Sequence, residues 1–177
     1  MSTFSERLVG AARLDARVFE EVEADISATG QAMLAVVLSS IATGIGTASV
    51  GGFGVVALTR GTLVALTSWV VWAVLTYLIG TRLLPEPQTR ADVAELLRTT
   101  GFASAPGLLR MIGVIPGLGW IVYIATSIWM LAAMVIGVRQ ALDFTTTGRA
   151  IAVCAAGWVF SLLIAFLVGV SFGPTVQ

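Results

Sequence analysis

The residues of this chain that could take part in chemistry are few, and one of them lies in an apolar stretch. Arg110 belongs to GFASAPGLLRMIGVIPGLGW (residues 101–120), which also contains two prolines and five glycines. An arginine at the centre of a bilayer costs about 2.5–3.5 kcal/mol on the insertion scale. Its side chain therefore either extends toward the nearer membrane surface or contacts a lipid phosphate or a substrate. The turn expected six residues later favours the first interpretation.

A second group of chemically active side chains is acidic and lies near the N-terminus. It consists of Glu20, Glu21, Glu23 and Asp25. Such a group most often forms the solvated face of a helix. The alternative is a surface that binds a cytosolic partner, and both interpretations stay open at this point.

The composition argues against catalysis, cofactors and nucleic-acid binding. The chain has no histidine and no lysine, and Cys154 is its only cysteine. Its hydroxyl groups therefore lack the usual base for nucleophilic activation, and a zinc site would lack its ligands. The apolar segments contain no acidic residue, and no basic tract could follow a phosphate backbone. We therefore predict a protein that is not an enzyme and that holds no cofactor or metal.

The elements that carry these residues are predicted to be membrane-spanning helices. The 177 residues are 57% hydrophobic and only 11% charged, whereas soluble domains have about 25% charged residues. We predict an all-α integral membrane protein, a five-helix bundle. Residues 1–29 form a cytoplasmic amphipathic leader, residues 30–173 the transmembrane domain and residues 174–177 a tail. The predicted spans are residues 31–50, 61–84, 100–115, 118–138 and 150–172.

The third predicted span is unusual because proline and glycine interrupt it. Its sixteen residues fall short of the ~20 that a straight spanning helix needs. Pro106 should kink it and leave a carbonyl unbonded, which lipid tolerates only where neighbouring helices cover the break. Pro116 and Gly117 should then form a tight turn. This segment is therefore expected inside the bundle.

Two polar stretches carry helix signals of their own. The leader has an apolar arc of helical period and forms either one helix or two short ones. Asp15 lies on that arc and either caps a second helix, which we favour, or is buried with an arginine partner. Further along, Thr89 is expected to cap a short helix that runs through Leu97.

The distribution of arginine predicts the orientation of the five spans. With the N-terminus in the cytoplasm, eight of the ten arginines lie on the cytoplasmic side, and only Arg60 and Arg110 lie outside. This asymmetry satisfies the positive-inside rule. We predict a multi-pass protein of a bacterial inner membrane whose C-terminus is periplasmic.

Three motifs together resemble the Yip-domain family, whose name refers to proteins that interact with Ypt/Rab GTPases. They are FASAPGLLRMIGVIPGLGW, the following apolar span that ends in IWMLAAMVIGVRQAL, and the entry TTTGRAIAV to the last span. The resemblance covers residues 28–170, and LDARVFEEVEADISATGQA is similar to the short leader of bacterial members. It implies a five-helix membrane domain with a cytosolic N-terminus, a partner-binding or membrane-organising role, and no catalytic residue. The short leader argues against binding of a Rab-type GTPase.

The predicted function is therefore that of a non-catalytic scaffold, with the lipid bilayer and other membrane proteins as partners. A small transporter or channel is the alternative, and an accessory subunit of a larger membrane complex is a further one. Two Gly-x-x-x-Gly pairs, at Gly113 with Gly117 and at Gly169 with Gly173, match a pattern of helix dimers. Packing within one bundle is the preferred explanation, and a homo-oligomer is the other.

Overall fold

In the computed structural model, which describes residues 2–48 and 54–172 and side chains up to residue 163, all regular structure is helical. The seven α-helices are α1 (Phe4–Ala12), α2 (Ala16–Ala24), α3 (Ala28–Gly46), α4 (Val55–Leu78), α5 (Val93–Phe102), α6 (Gly119–Ala141) and α7 (Thr147–Phe172). A π-helical turn (Ile79–Leu83) extends α4, and a 3₁₀-helix (Ala105–Val114) follows α5. The prediction of an all-α fold is confirmed. The predicted tail, residues 174–177, lies outside the described residues.

The leader forms two short helices that meet at a sharp corner. Leu14 makes this corner with a φ of 62°, in the left-handed region. Asp15 then begins α2, where its carboxylate accepts a hydrogen bond from the backbone N–H of Arg17 at 3.1 Å. The capping hypothesis for Asp15 is therefore confirmed. The same carboxylate pairs with the exposed guanidinium of Arg17 at 2.9 Å, so this ion pair lies at the surface.

Three helices are long and apolar enough to cross a membrane: Ala28–Gly46, Val55–Leu83 and Gly119–Ala141. The described part of α7 is also apolar, from Thr147 to Leu163. The second predicted span begins at Gly61, whereas α4 begins six residues earlier, at Val55. A glycine inside a helix costs about 1 kcal/mol, and unpaired backbone groups in lipid cost several, so the helix continues through Gly61. The predicted end of the first span, at residue 50, falls outside the described residues.

The third predicted span is not one continuous helix. Its chain enters as α5, turns at Ser104, and tightens into the 3₁₀-helix Ala105–Val114. Pro106 lies in the first turn of that 3₁₀-helix, where its missing N–H removes no helical hydrogen bond. The segment therefore changes helix type at the proline.

The start of α5 corrects a second prediction. Asp92, not Thr89, caps the helix, because its carboxylate accepts from the backbone N–H of Glu95 at 2.7 Å. The carboxylate of Glu95 accepts in return from the N–H of Asp92 at 2.8 Å, which completes a capping box. The hydroxyl of Thr89 instead accepts from the N–H of Glu86.

A row of small residues lets the broken segment lie directly against α3. On α3 these residues are Ala32, Ser39 and Gly46, seven apart. Facing them are Gly101, Gly107 and Gly113. A Cβ atom on Gly101 would lie 2.7 Å from the Cβ of Ala32, and one on Gly113 would lie 3.2 Å from the carbonyl oxygen of Gly46. The segment follows α3 in the same direction, and the missing side chains permit this close approach. We call this contact the glycine seam.

Burial differs between the two ends of the helices. At the end that carries the leader, Phe19 and Val22 of α2 are fully buried with Phe102 and Ala133. Large apolar side chains elsewhere on the long helices point outward; Val55, Leu63, Trp120 and Ile128 are each at least 60% exposed. Such surface needs a lipid environment.

Candidate functional site

Arg7 fixes the leader to the first long helix, although it is a charged residue with only 1% of its surface exposed. Its guanidinium donates to Glu21 at 2.9 Å, to Asp25 at 2.6 Å and to the side-chain oxygen of Gln31 at 3.0 Å. The Ser2 hydroxyl and the Arg7 guanidinium lower the pKa of Glu21 to about 2. Both carboxylates therefore stay ionised at neutral pH, as a buried arginine requires.

Two further side chains hold the leader helices against the bundle. Arg98 of α5 is 4% exposed and donates to the backbone oxygens of Val22 and Glu23, at the end of α2. These carbonyls have no partner within the helix, so Arg98 acts as their cap. The indole N–H of Trp129 on α6 donates to the carbonyl of Ala12 at 2.7 Å, where α1 ends.

The two loops on the same side are also joined, through Glu86. Its carboxylate accepts from the N–H of Thr145 at 3.0 Å and pairs with Arg149 at 3.2 Å. The backbone N–H and then the hydroxyl of Thr145 are the main causes that lower the pKa of Glu86. The loop after α4 and the loop after α6 therefore form one connected surface with the leader.

An acidic groove of about 410 Å³ lies on this surface, between α2 and the end of α6. Its lining residues are Glu20, Glu23, Ala24, Arg139, Gln140, Asp143 and Phe144. Burial, and then repulsion by the carboxylates of Asp143, Glu95 and Glu20, raises the pKa of Glu23 to about 7. Three carboxyl groups, those of Glu20, Glu23 and Asp143, line the groove against the single guanidinium of Arg139, so the groove suits a basic group.

The structure divides the four acidic residues that the sequence grouped together. Glu20 and Glu23 line the acidic groove. Glu21 and Asp25 instead bind the buried guanidinium of Arg7. Only the first two are therefore available to a partner in this arrangement.

A second recess, the membrane cavity, opens between α3, α4 and α6 and has a volume of about 580 Å³. Volumes of about 300–1,000 Å³ are typical of small-molecule sites. Small and hydroxyl-bearing residues line much of it, together with Trp69, Trp72 and Met130. Arg110 is the one charged residue in its lining.

Neutral groups hold the guanidinium of Arg110 in place. It donates to the hydroxyls of Ser127 at 2.8 Å, Thr126 at 3.2 Å and Thr43 at 3.4 Å. The ring of Tyr123 lies 4.5 Å from its carbon Cζ, a cation–π distance. No carboxylate of the described residues pairs with it. Arg110 is therefore half-buried between two helices and retains an uncompensated charge.

The predicted turn residues lie where the 3₁₀-helix passes into α6. Gly117 has a φ of 85°, a conformation that favours glycine, and Pro116 precedes it. Nothing lies within 4 Å of a Cβ atom placed on Gly117, so backbone conformation is the reason for this glycine. With Pro106 at the start of the 3₁₀-helix, these residues shape the segment that carries Arg110.

Our sequence analysis missed Arg7, Arg98 and Glu86 as structural side chains. For Arg7 a signal was present, since it lies three residues after Phe4 and four before Ala11, on the buried side of α1. For Arg98 and Glu86 no local pattern existed. Their partners are 75 and 59 residues away in the chain.

Comparison with known proteins identifies one family. The model of the Yip1 domain matches residues 16–169, which is most of the chain. No curated protein and no solved structure matches the chain.

Proposed function

We propose that this chain, which belongs to the Yip1 domain family of membrane proteins, is a non-catalytic module that binds a partner protein at its leader side. The observation that carries this proposal is the docked leader. Arg7 and Arg98 hold it against the bundle, so the acidic groove has a fixed shape. A fixed recess lowers the entropy that binding costs. Its negative charge favours a partner with an exposed Lys or Arg.

The topology that we propose for this module has five crossings, in a bacterial inner membrane. The broken segment follows α3 along the glycine seam from Ala32 to Gly46, fourteen residues or about 21 Å at 1.5 Å per residue, which is most of the ~30 Å of a hydrocarbon core. This length supports a complete crossing. The leader side would be cytoplasmic, as the arginine distribution favours.

Site-specific crosslinking tests the partner-binding role. A photoreactive residue in place of Gln140, in the acidic groove, should form a discrete protein adduct in cells. Glu20→Lys should reduce that adduct at least about fivefold, because it places a cation where a basic partner group binds. Arg13→Glu is the control, since Arg13 is exposed on the leader and outside the groove. Glu21 is left unchanged because it holds Arg7.

The outcomes separate the interpretations. An adduct that Glu20→Lys and Arg13→Glu affect equally would contradict recognition in the groove. An adduct recovered in fixed stoichiometry after mild detergent extraction would identify an accessory subunit of a larger complex.

One observation favours the second candidate, a small transporter or channel. The membrane cavity with Arg110 could admit a solute. Solute flux into liposomes that contain the purified protein, changed by Arg110→Ala, would support transport. Absence of flux over a broad panel of ions would count against it.

A further inference from the structure

The membrane cavity is elongated along the helices. Its lining on α4 extends from Ala57 to Trp72, fifteen residues or about 22 Å along a helix. On the α3 side it extends from Val36 to Thr47, the residue that follows the helix. The cavity therefore follows the helices through much of the ~30 Å hydrocarbon depth, as an extended chain would.

The hydroxyl groups along its wall are mostly occupied. Five of them donate to carbonyls of their own helices or turns, at 2.5–3.0 Å: Ser40, Thr43, Thr47, Thr100 and Ser104. Such a hydroxyl has no proton left to donate, so these five side chains offer a ligand no hydrogen-bond donor. The wall therefore suits an apolar chain better than a polar solute.

Arg110 places a positive charge at one end of this cavity. A guanidinium has five N–H donors, and its bonds to Thr126, Thr43 and Ser127 use one on each nitrogen. One N–H on each terminal nitrogen has no acceptor among the described residues, so the guanidinium can still donate to an oxyanion.

The acidic residues of the chain cannot neutralise that charge. All ten lie in the leader, in residues 86–95 or at Asp143. The leader precedes α3, and the Thr43 hydroxyl that contacts Arg110 lies near the other end of that helix. By contrast, Arg7, Arg17 and Arg149 each pair with a carboxylate. Arg110 therefore has no carboxylate partner among the described residues, and an external anion would supply one.

We propose that the membrane cavity binds one anionic phospholipid, whose phosphate contacts Arg110 and whose acyl chain lies along α4. An anionic head beside an apolar chain matches both the single charge and the long apolar wall. This site lies away from the acidic groove and does not depend on it.

A substitution at Gly61 would block the binding of the acyl chain without changing Arg110, which contacts the phosphate. It lines the cavity, and no atom lies within 4 Å of a Cβ placed there. Gly61→Leu should fill the space where the acyl chain lies. It should also leave the helix intact, since leucine is a better helix former than glycine.

Native mass spectrometry of the delipidated protein in nonionic detergent tests the proposal, with phosphatidylglycerol, phosphatidylcholine and inorganic phosphate as probes. We expect one phosphatidylglycerol per chain, bound more tightly than phosphatidylcholine. Arg110→Gln and Gly61→Leu should each weaken it about tenfold or more, as the loss of a charged hydrogen bond or of the chain's space implies. Arg60→Gln is the matched control, because Arg60 is exposed near Gly61 and outside the cavity lining.

Three results would overturn the proposal. One is equal weakening by Arg110→Gln and Arg60→Gln, which indicates general surface charge. Another is unchanged binding in Gly61→Leu, which leaves no role for the cavity wall. The third is inorganic phosphate bound as tightly as the lipid, which indicates a free-anion site. If Arg110→Gln does not fold by size-exclusion chromatography, Gly61→Leu alone decides.

Discussion

At the scale of single residues, Glu23 is the side chain whose charge changes near neutral pH. Burial and the carboxylates of Asp143, Glu95 and Glu20 raise its pKa from 4.5 to about 7. The pKa of Glu21 is instead lowered to about 2, and the chain has no histidine. Between about pH 4.5 and 7 the folded state therefore holds a proton at Glu23 that the unfolded state has lost.

This difference predicts how stability depends on pH. Because the native state binds more protons in that range, the free energy of unfolding should fall as pH rises from about 4.5 to about 7 and then level off. Glu23→Gln should remove most of this slope. The thermal unfolding temperature in detergent, measured from pH 5 to 8.5, checks the prediction. Glu20→Gln is the control and should keep a slope; an identical slope in Glu23→Gln would show that another group titrates.

At the scale of elements, the glycine seam determines how the broken segment packs. Gly46 at the end of α3 touches the backbone oxygen of Arg110, and a Cβ atom there would overlap it. The backbone oxygen of Arg110 cannot move aside by a change of rotamer, as a side-chain atom can. The seam therefore needs glycine at this position.

Gly46→Ala should accordingly destabilise the protein by about 1–3 kcal/mol, the usual cost of overpacking. Gly30→Ala on the same helix is the matched control. Nothing lies within 4 Å of its added Cβ, so it should be neutral or stabilise by up to about 1 kcal/mol. Unfolding in mixed micelles, followed by circular dichroism, measures both. Equal effects of the two substitutions would contradict close packing at the seam.

The same elements show what a sequence can predict. Apolar runs predicted the long helices, and the cap at Asp15 followed from its residue type. The break after α5 was expected from Pro106, but the change to a 3₁₀-helix was not, because it depends on contact with α3. The partners of Arg110 on α3 and α6 are 16 to 67 residues away, beyond the reach of any helical period. The acidic groove itself was not predicted; of its lining residues the sequence analysis named Glu20 and Glu23, because only the α2 side chains are close together in sequence.

At the scale of the whole molecule, the long elements alternate in direction. Ser40 on α3 meets Thr62 on α4 at 2.9 Å, and Gly44 lies beside Leu58, so these helices are antiparallel. Arg149 at the start of α7 binds the carbonyl of Pro85 at 2.7 Å, so α7 begins where α4 has ended. The broken segment runs in the same direction as α3, and α6 runs in the opposite direction. With the five crossings that we propose, this alternation would place the two termini on opposite sides of the bilayer.

Labelling of single cysteines tests this arrangement directly. In a Cys154→Ser background, Arg13→Cys on the exposed leader should react with a membrane-impermeant maleimide only after the membrane is opened. Gln177→Cys should react in spheroplasts that are intact, because a fifth crossing carries the chain to the periplasmic side. Labelling of both only after opening would mean that one element, most simply the broken segment, enters the bilayer and leaves on the same side. The membrane cavity would then still exist, but Arg110 would lie in a re-entrant loop.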